Sequence, residues 1–316
     1  MNPMLKLVAS GQGGVFSRSQ AFECGYTPQE LRDRVRSGRW ERLRHGQYAE
    51  AVDLGALPIW DRELVRHRRL VFAAMNSLRT GAVAVSHQSA LVLHQLPQWD
   101  LDLSEVHLSR LDERRHSGRV AGVRHHRGRI SPADLVQRDG LPVTTVARAI
   151  VETACTTSFE AAVVIVDAAL RDHAIGEAEL LRLLDAIEFW PGGPTARSAI
   201  RFGDAKSESV GESRLRVLMH NHRLPRPELQ VVYEDADGFV ARVDFAFPEY
   251  ETVVEFDGRT KYASGSPDVL FDEKVREDRL RALGLQVVRV RWSHLAQPSR
   301  TAAAIRAAFA RSRRTA

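Results

Sequence analysis

Apolar and polar positions along this chain repeat with different periods in different stretches, and the changes of period mark its parts. From Gly13 to Glu50 the pattern predicts two short helices and a hairpin. Ser17 caps a helix over Arg18–Cys24, which Gly25 closes, and Thr27-Pro28-Gln29-Glu30 is a capping box with proline at the first helical position. The next helix turns Leu31 and Val35 toward a core and carries Arg32, Arg34 and Arg36 around the rest, until Gly38 stops it. Trp40 and Leu43 fall in a strand, His45-Gly46 in a tight turn and Gln47-Tyr48-Ala49 in a return strand. Two helices, a tight turn between them and a hairpin behind them make a winged helix-turn-helix.

The following stretch mixes both periods. Arg62–Leu78 has helical spacing at Leu64, Val65, Leu70 and Val71, Ala82–Val85 is a short buried strand, and Ser86 opens a helix to about Leu93. Strand-like pieces lie at Glu105–Ser109 and Val120–His126, and three amphipathic helices at Thr145–Ala154, Phe159–Asp172 and Glu177–Phe189. The turn cluster Trp190-Pro191-Gly192-Gly193-Pro194 ends this module. Beyond it the order reads helix (Val210–His220), strands (Glu228–Tyr233, Phe239–Phe247, Thr252–Asp257), helix (Asp272–Leu283) and strand (Gln286–Trp292). The fold class expected is α+β and multidomain. A winged helix-turn-helix (1–60) precedes a mixed α/β module (61–190), a linker (191–206), an α/β domain on a mixed central sheet (207–296) and a basic C-terminal helix or tail (297–316).

Composition narrows the class. With 44% hydrophobic and 27% charged residues in 316, the chain is globular. It has no run long enough to span a membrane and no secretory leader, so a cytoplasmic protein is expected. Two cysteines, Cys24 and Cys155, make neither a disulfide framework nor a zinc cluster. Only four of the 45 basic residues are lysines, and arginine suits phosphate contact. Six of those arginines, Arg32, Arg34, Arg36, Arg39, Arg42 and Arg44, fall on the second helix and its wing against Asp33 and Glu41. That is where a helix-turn-helix meets the major groove, so DNA is the expected partner. A second arginine-rich stretch, Arg110 to Arg129, includes Arg114 and Arg115. The histidines form no legible ligand frame. His125 and His126 point to opposite faces of a strand, and His87 reads as a satisfied core histidine at a capped helix start.

The sharpest chemistry is carboxylate. In Phe239–Phe247, Ala241, Val243, Phe245 and Phe247 take one face and Arg242 and Asp244 the other; in Thr252–Asp257, Glu255 and Asp257 share a face. A symmetric loop Pro248-Glu249-Tyr250-Glu251 sets Asp244 directly across from Glu255. Opposed carboxylates repel, and a divalent cation with hard oxygen ligands, Mg²⁺ or Mn²⁺, relieves that repulsion. Asp244, Glu255 and Asp257 are the candidate metal ligands. Glu212, on the preceding helix, adds a further acid, and Lys274 or Lys261 a candidate catalytic lysine. The competing reading is an ordinary ion network with Arg242, Arg259 or Arg289.

These residues carry two resemblances. Gly211-Glu212-Ser213-Arg214-Leu215-Arg216, Arg242-Val243-Asp244-Phe245, Val254-Glu255-Phe256-Asp257-Gly258, Arg276-Glu277-Asp278-Arg279-Leu280 and Val287-Val288-Arg289-Val290 resemble the domain related to the very-short-patch-repair endonuclease. That domain belongs to the restriction-endonuclease-like (PD-(D/E)xK) superfamily. The resemblance implies Asp244 and Glu255 as metal-binding carboxylates and Glu212 as the helix-borne acid. Asp257 stands where the general motif has lysine, as in the repair-endonuclease branch. Gly14-Val15-Phe16, Ser37-Gly38-Arg39-Trp40, Gly46-Gln47-Tyr48-Ala49, Ser86-His87-Gln88-Ser89-Ala90 and Leu141-Pro142-Val143-Thr144-Thr145 resemble the AbiEi-like antitoxin family of abortive-infection (type IV) toxin–antitoxin systems. Two functions follow as expectations. One is a metal-dependent DNA endonuclease with a DNA-binding front domain, in phage defence or DNA repair. The other is a non-catalytic DNA-binding regulator or antitoxin with a cognate toxin.

Overall fold

The computed structural model describes residues 1–78, 83–112, 117–172, 175–186, 190–258 and 267–312, without the side chains of 267–272. Arg114, Arg115, Arg259 and Lys261 lie outside the described residues. The chain divides into two compact units, residues 1–161 with 178–197, and residues 162–177 with 198–316.

The first unit begins with α1 (Pro3–Ser10), β1 (Val15–Ser17), α2 (Arg18–Glu23), α3 (Pro28–Arg36), β2 (Trp40–Arg44) and β3 (Gln47–Glu50). The expected Thr27–Glu30 capping box forms at α3, and the Ser17 cap of α2 is completed to a box by Gln20. The three strands pair in the order β1-β3-β2. Sequence periodicity did not reveal α1 and β1, yet they complete the core. Leu5 and Ala9 of α1 are buried with Phe16, Tyr26 and Trp40, and Phe16 meets the Trp40 ring edge-on at 4.8 Å.

There follow α4 (Ile59–Ser77), β4 (Val83–Val85), α5 (His87–Leu93), β5 (Val106–Arg110), β6 (Gly118–Val120), β7 (Val123–His126), β8 (Leu135–Arg138), β9 (Leu141–Thr144), α6 (Val146–Ala154), α7 (Phe159–Asp172) and α8 (Glu177–Ala186). The six strands form one mixed sheet in the order β6-β7-β5-β4-β9-β8. The single strand expected over Val120–His126 is instead a hairpin. Ala121 and Gly122 both adopt positive φ, +49° and +75°, and turn the chain between β6 and β7. The β8–β9 hairpin was unforeseen although Asp139-Gly140, at φ +51° and +76°, is the dipeptide such a tight turn prefers.

The second unit holds most of α7, the end of α9 (Gly193–Phe202), then α10 (Val210–Asn221), β10 (Glu228–Asp235), β11 (Gly238–Phe247), β12 (Thr252–Asp257), α11 (Pro267–Ala282), β13 (Gln286–Arg291), α12 (Trp292–Leu295) and α13 (Pro298–Ser312). The sheet runs β10-β11-β12-β13, antiparallel through β12 and then parallel, with α11 as the crossover that a parallel pair requires. It is apolar on both faces. One core joins Phe245, Phe247, Val254 and Phe256 to Leu215 and Leu218 of α10 and to Ile305 and Phe309 of α13. The other joins Ala241, Val243, Ala246 and Val253 to Leu280 of α11. The uniform alternation expected along β11 is therefore divided, because Val243 and Phe245 enter opposite cores. The break falls at Asp244, whose neighbour position on β10, Gln230, has a left-handed φ of +55°. The C-terminal residues, expected as a separate basic helix or tail, pack through α13 into the first of these cores.

Candidate functional site

The β11–β12 hairpin takes the register that a symmetric loop predicts, with Phe245 opposite Val254, Ala246 opposite Val253 and Phe247 opposite Thr252. The paired register ends at Phe245 and Val254, one step short of Asp244 and Glu255, and beyond it the Asp244 Oδ2 accepts a hydrogen bond from the Phe256 amide at 2.7 Å. Glu212 comes from the first turn of α10, whose N-cap is Ser209. α10 reaches β12 this closely because Gly211 has no side chain: a Cβ there would lie 2.0 Å from the Phe256 ring. The Glu212 carboxylate accepts from the Ser209 hydroxyl at 2.7 Å, the Glu208 amide at 2.9 Å and Gln230 Nε2 at 3.2 Å.

The carboxylates are buried and sense one another. Burial pushes Glu212 above the ordinary carboxylate range, against its hydrogen bonds from Glu208 and Ser209, and the charge on Asp244 pushes the same way. Burial likewise raises Glu255; Arg276 and Arg289 pull it back, while Asp244 and Asp257 add to the rise. Glu255 and Asp257 both lie on the α11 side of the sheet, and that helix answers them with charge. Arg276 donates to Glu255 Oε2 at 3.1 Å. Arg289 of β13 lies 3.9 Å from Glu255, 3.8 Å from Asp257, 3.4 Å from Glu273 and 2.9 Å from Glu277. Arg291 reaches Asp257 at 3.8 Å. Arg242, the other expected partner, instead pairs with Glu208 at 2.9 Å. Lys274 is exposed, whereas Arg276, two residues on, points at the acids. The spacing Glu273, Arg276, Glu277, Leu280 is a stripe of half-buried residues ending in the buried Leu280, and it leaves the exposed Lys274 off it.

The arginines of the winged element divide into two groups. Arg32, Arg36, Arg39 and Arg42 are exposed. Arg34 instead lies over the Tyr26 and Trp40 rings, 5.0 and 5.1 Å from their centroids, and Arg44 is half-buried with an Nη2 donating to the Ala121 carbonyl at 3.4 Å.

The histidine reading needs correction. His87, His107 and His126, far apart in sequence, come together in the first unit with one donor atom from each within 4.8 Å of the others. His87 is not a satisfied core histidine: it is fully buried and its Nε2 has no hydrogen-bond partner. Burial, then neighbouring positive charge, pushes His107 down to about 3 and His126 to about 4, so both rings are neutral at neutral pH. Spacing could not reveal this group, since its members come from α5, β5 and β7.

Comparison with known proteins gives a family match at the front of the chain. Residues 3–51 match the family described as "Transcriptional regulator, AbiEi antitoxin". The chain is also 34% identical over 122 residues to the uncharacterized proteins MT2308 and Rv2248 of two Mycobacterium tuberculosis strains, across 39% of this chain and 44% of each relative. It thus spans less than half the length of the curated relatives it matches. Among the described residues no helix is long and apolar enough to cross a membrane.

Proposed function

We propose that this protein is a metal-dependent DNA endonuclease, targeted by its winged element and cutting at the carboxylates of its second unit. The observation that carries the reading is that burial raises both Glu212 of α10 and Glu255 of β12, and that the charge of Asp244 on β11 adds to the rise of each. Buried carboxylates held side by side are stabilised by a cation, and an all-oxygen donor set suits Mg²⁺ or Mn²⁺. The element order α10-β10-β11-β12-α11-β13 supports the likeness to restriction-endonuclease-like domains.

Asp244 and Glu255 would hold the ion, with Asp257 as a further acid. Bound there, a divalent ion would supply Lewis-acid activation of water and charge neutralisation at the scissile phosphate. The chain's own residues do the rest. Ser209, Gln230 and the Glu208 amide fix the Glu212 carboxylate, and the Phe256 amide fixes Asp244. Arg276 offers a guanidinium beside Glu255, where a phosphoryl oxygen can take a hydrogen bond that strengthens as charge develops. The decisive assay is cleavage of supercoiled plasmid in Mg²⁺ or Mn²⁺. The parent cuts, and Asp244→Asn and Glu255→Gln do not; equal cutting by all three refutes the assignment.

A second reading is favoured by the match of residues 3–51 to antitoxin regulators: a DNA-binding regulator, with a cognate toxin as partner, in which the second unit does not cut. It predicts protection of a defined DNA site with no strand breaks in either metal, and dependence on Arg32, Arg36 and Arg39.

A further inference from the structure

Three imidazoles converge in the first unit without a role in the function proposed above. His87 opens α5, His107 lies in β5 and His126 ends β7, which pairs in parallel with β5. His87 Nδ1 is 3.0 Å from Ser86 Oγ and 3.5 Å from Glu152 Oε2. A carboxylate at that nitrogen holds the proton on Nδ1 and leaves the lone pair on Nε2, the buried atom without a hydrogen-bond partner. The backbone at His87 is also unusual, with φ at +52°. A non-glycine residue in that region is strained, and such strain gathers at functional positions. Nearby, His126 Nε2 and His107 Nδ1 face each other at 2.9 Å.

We propose that His87 Nε2, His107 Nδ1 and His126 Nε2 form a binding site for a first-row transition-metal dication, with Zn²⁺ as the type ion. Imidazole nitrogens select zinc, cobalt, nickel or copper over the hard cations that carboxylates prefer, so this site and the acidic one take different metals. Glu152 behind His87 is the carboxylate–histidine arrangement that fixes tautomer and ring orientation in metal centres. The charge of Arg148 beside it is answered by Glu152 at 2.8 Å and Asp134 at 3.7 Å. In tetrahedral zinc sites with metal–nitrogen bonds of about 2.05 Å, ligand nitrogens lie about 3.3 Å apart. The His107–His126 pair need open only slightly from 2.9 Å. His87, now stacked on His126 with ring centroids 3.6 Å apart, turns edge-on to bring its Nε2 inward.

Gln88 supplies the outer partner for His107. Its amide nitrogen lies 2.9 Å from His107 Nε2 and 3.3 Å from the Asp102 carbonyl, while its buried oxygen has no partner. Turning the amide over gives His107 Nε2–H an acceptor and frees Nδ1 for the ion, at the cost of the longer bond to Asp102. Three protein nitrogens then leave one coordination position for water or another ligand.

The full-length chain, stripped with a chelator, is titrated with ZnCl₂ by calorimetry and with CoCl₂ by visible absorption, whose intensity reports tetrahedral coordination. One ion per chain is expected, and His107→Gln and His126→Gln should each weaken binding by about 10- to 100-fold. The half-buried His126 is the safer substitution, and its variant should keep the parent's circular dichroism and melting midpoint. Trp190 lies parallel to His87 with ring centroids 5.8 Å apart, so Co²⁺ should quench emission that Trp190→Phe removes. The combined Asp244→Asn, Glu255→Gln variant should bind Zn²⁺ unchanged, which separates this site from the proposed nuclease. The proposal is overturned by absence of stoichiometric uptake, by uptake unaffected in a folded His126→Gln chain, or by uptake lost only in the carboxylate variant.

Discussion

Replacing Arg216 by alanine should unfold the second unit far more readily while touching none of the acids. Arg216 is buried on α10, four residues after Glu212, and donates to Asp167 Oδ2 at 2.7 Å and to the Phe202 carbonyl at 2.6 Å. Asp167 is completely buried. It also accepts from Ser213 Oγ at 2.7 Å and the Asp204 amide at 2.8 Å, so α7 and α10 are tied through one carboxylate. Removing one member of a buried ion pair leaves the other charge unpaired, which costs about 3–5 kcal/mol. For a unit of this size that is a fall of roughly 10–20 °C in its melting midpoint. Replacing both members by Asp167→Leu and Arg216→Met leaves no orphan charge and should recover most of the loss. Differential scanning calorimetry with amide exchange on residues 210–221 resolves the second unit from the first. A loss below about 1 kcal/mol for Arg216→Ala, or a double variant worse than the single one, would refute the claim that this pair pins the helix carrying Glu212.

Other perturbations test the remaining links. Glu212 and Glu255 are raised above their ordinary 4.5 by burial first, so the stability they contribute is present below that value and lost as pH rises through their folded values. Mg²⁺ should therefore raise the melting midpoint of the second unit more at pH 8 than at pH 5.5, and not at all in Asp244→Asn, Glu255→Gln, as thermal scans across pH will show. His107 is lowered from 6.5 to about 3 by burial, so its contribution is present above 6.5 and lost as pH falls toward 3. Acid denaturation of the first unit should thus flatten over that window in His107→Gln. In the winged element, Arg32→Ala with Arg39→Ala should reduce the slope of log K against log salt for duplex DNA by about 2, whereas Arg34→Ala should chiefly lower stability because that guanidinium lies over Tyr26 and Trp40.

What could be read from residues alone follows the range of the interactions. Caps and turns act over three or four residues, so the Ser17 cap, the Thr27 box and the starts of α2 and α3 were legible in advance. The register of β11 on β12 was legible too, because a short symmetric loop transmits it directly. Two local features were readable and missed: the Asp139-Gly140 turn, and α1 with its Asn2 cap and Pro3. The rest depends on distant partners. Nothing near Lys274 in sequence reveals that the half-buried stripe of α11 begins one residue earlier and selects Arg276. Neither the division of β11 between two cores nor the meeting of His87, His107 and His126 has any local signature.

The arginines around the acids bear on which of the two functional readings is the stronger. Among the described residues six carboxylates, Glu212, Asp244, Glu255, Asp257, Glu273 and Glu277, stand with four guanidiniums, Arg276, Arg281, Arg289 and Arg291, and within this set the surplus is negative. A surface that only grips DNA gains from the opposite balance, since each neutralised phosphate releases a counterion and each uncompensated carboxylate repels one. Held close to a backbone phosphate, this cluster is therefore unfavourable without an added cation and favourable with a dication between acid and phosphate. The winged element, whose exposed arginines need no metal, grips DNA under either reading. It follows that metal dependence of DNA affinity separates the two. If Ca²⁺, which binds such acids without promoting rapid cleavage, tightens duplex binding in the parent but not in Asp244→Asn, Glu255→Gln, the second unit meets the phosphates through an ion. If Ca²⁺ leaves affinity unchanged in both, DNA is held by the first unit alone and the nuclease reading fails.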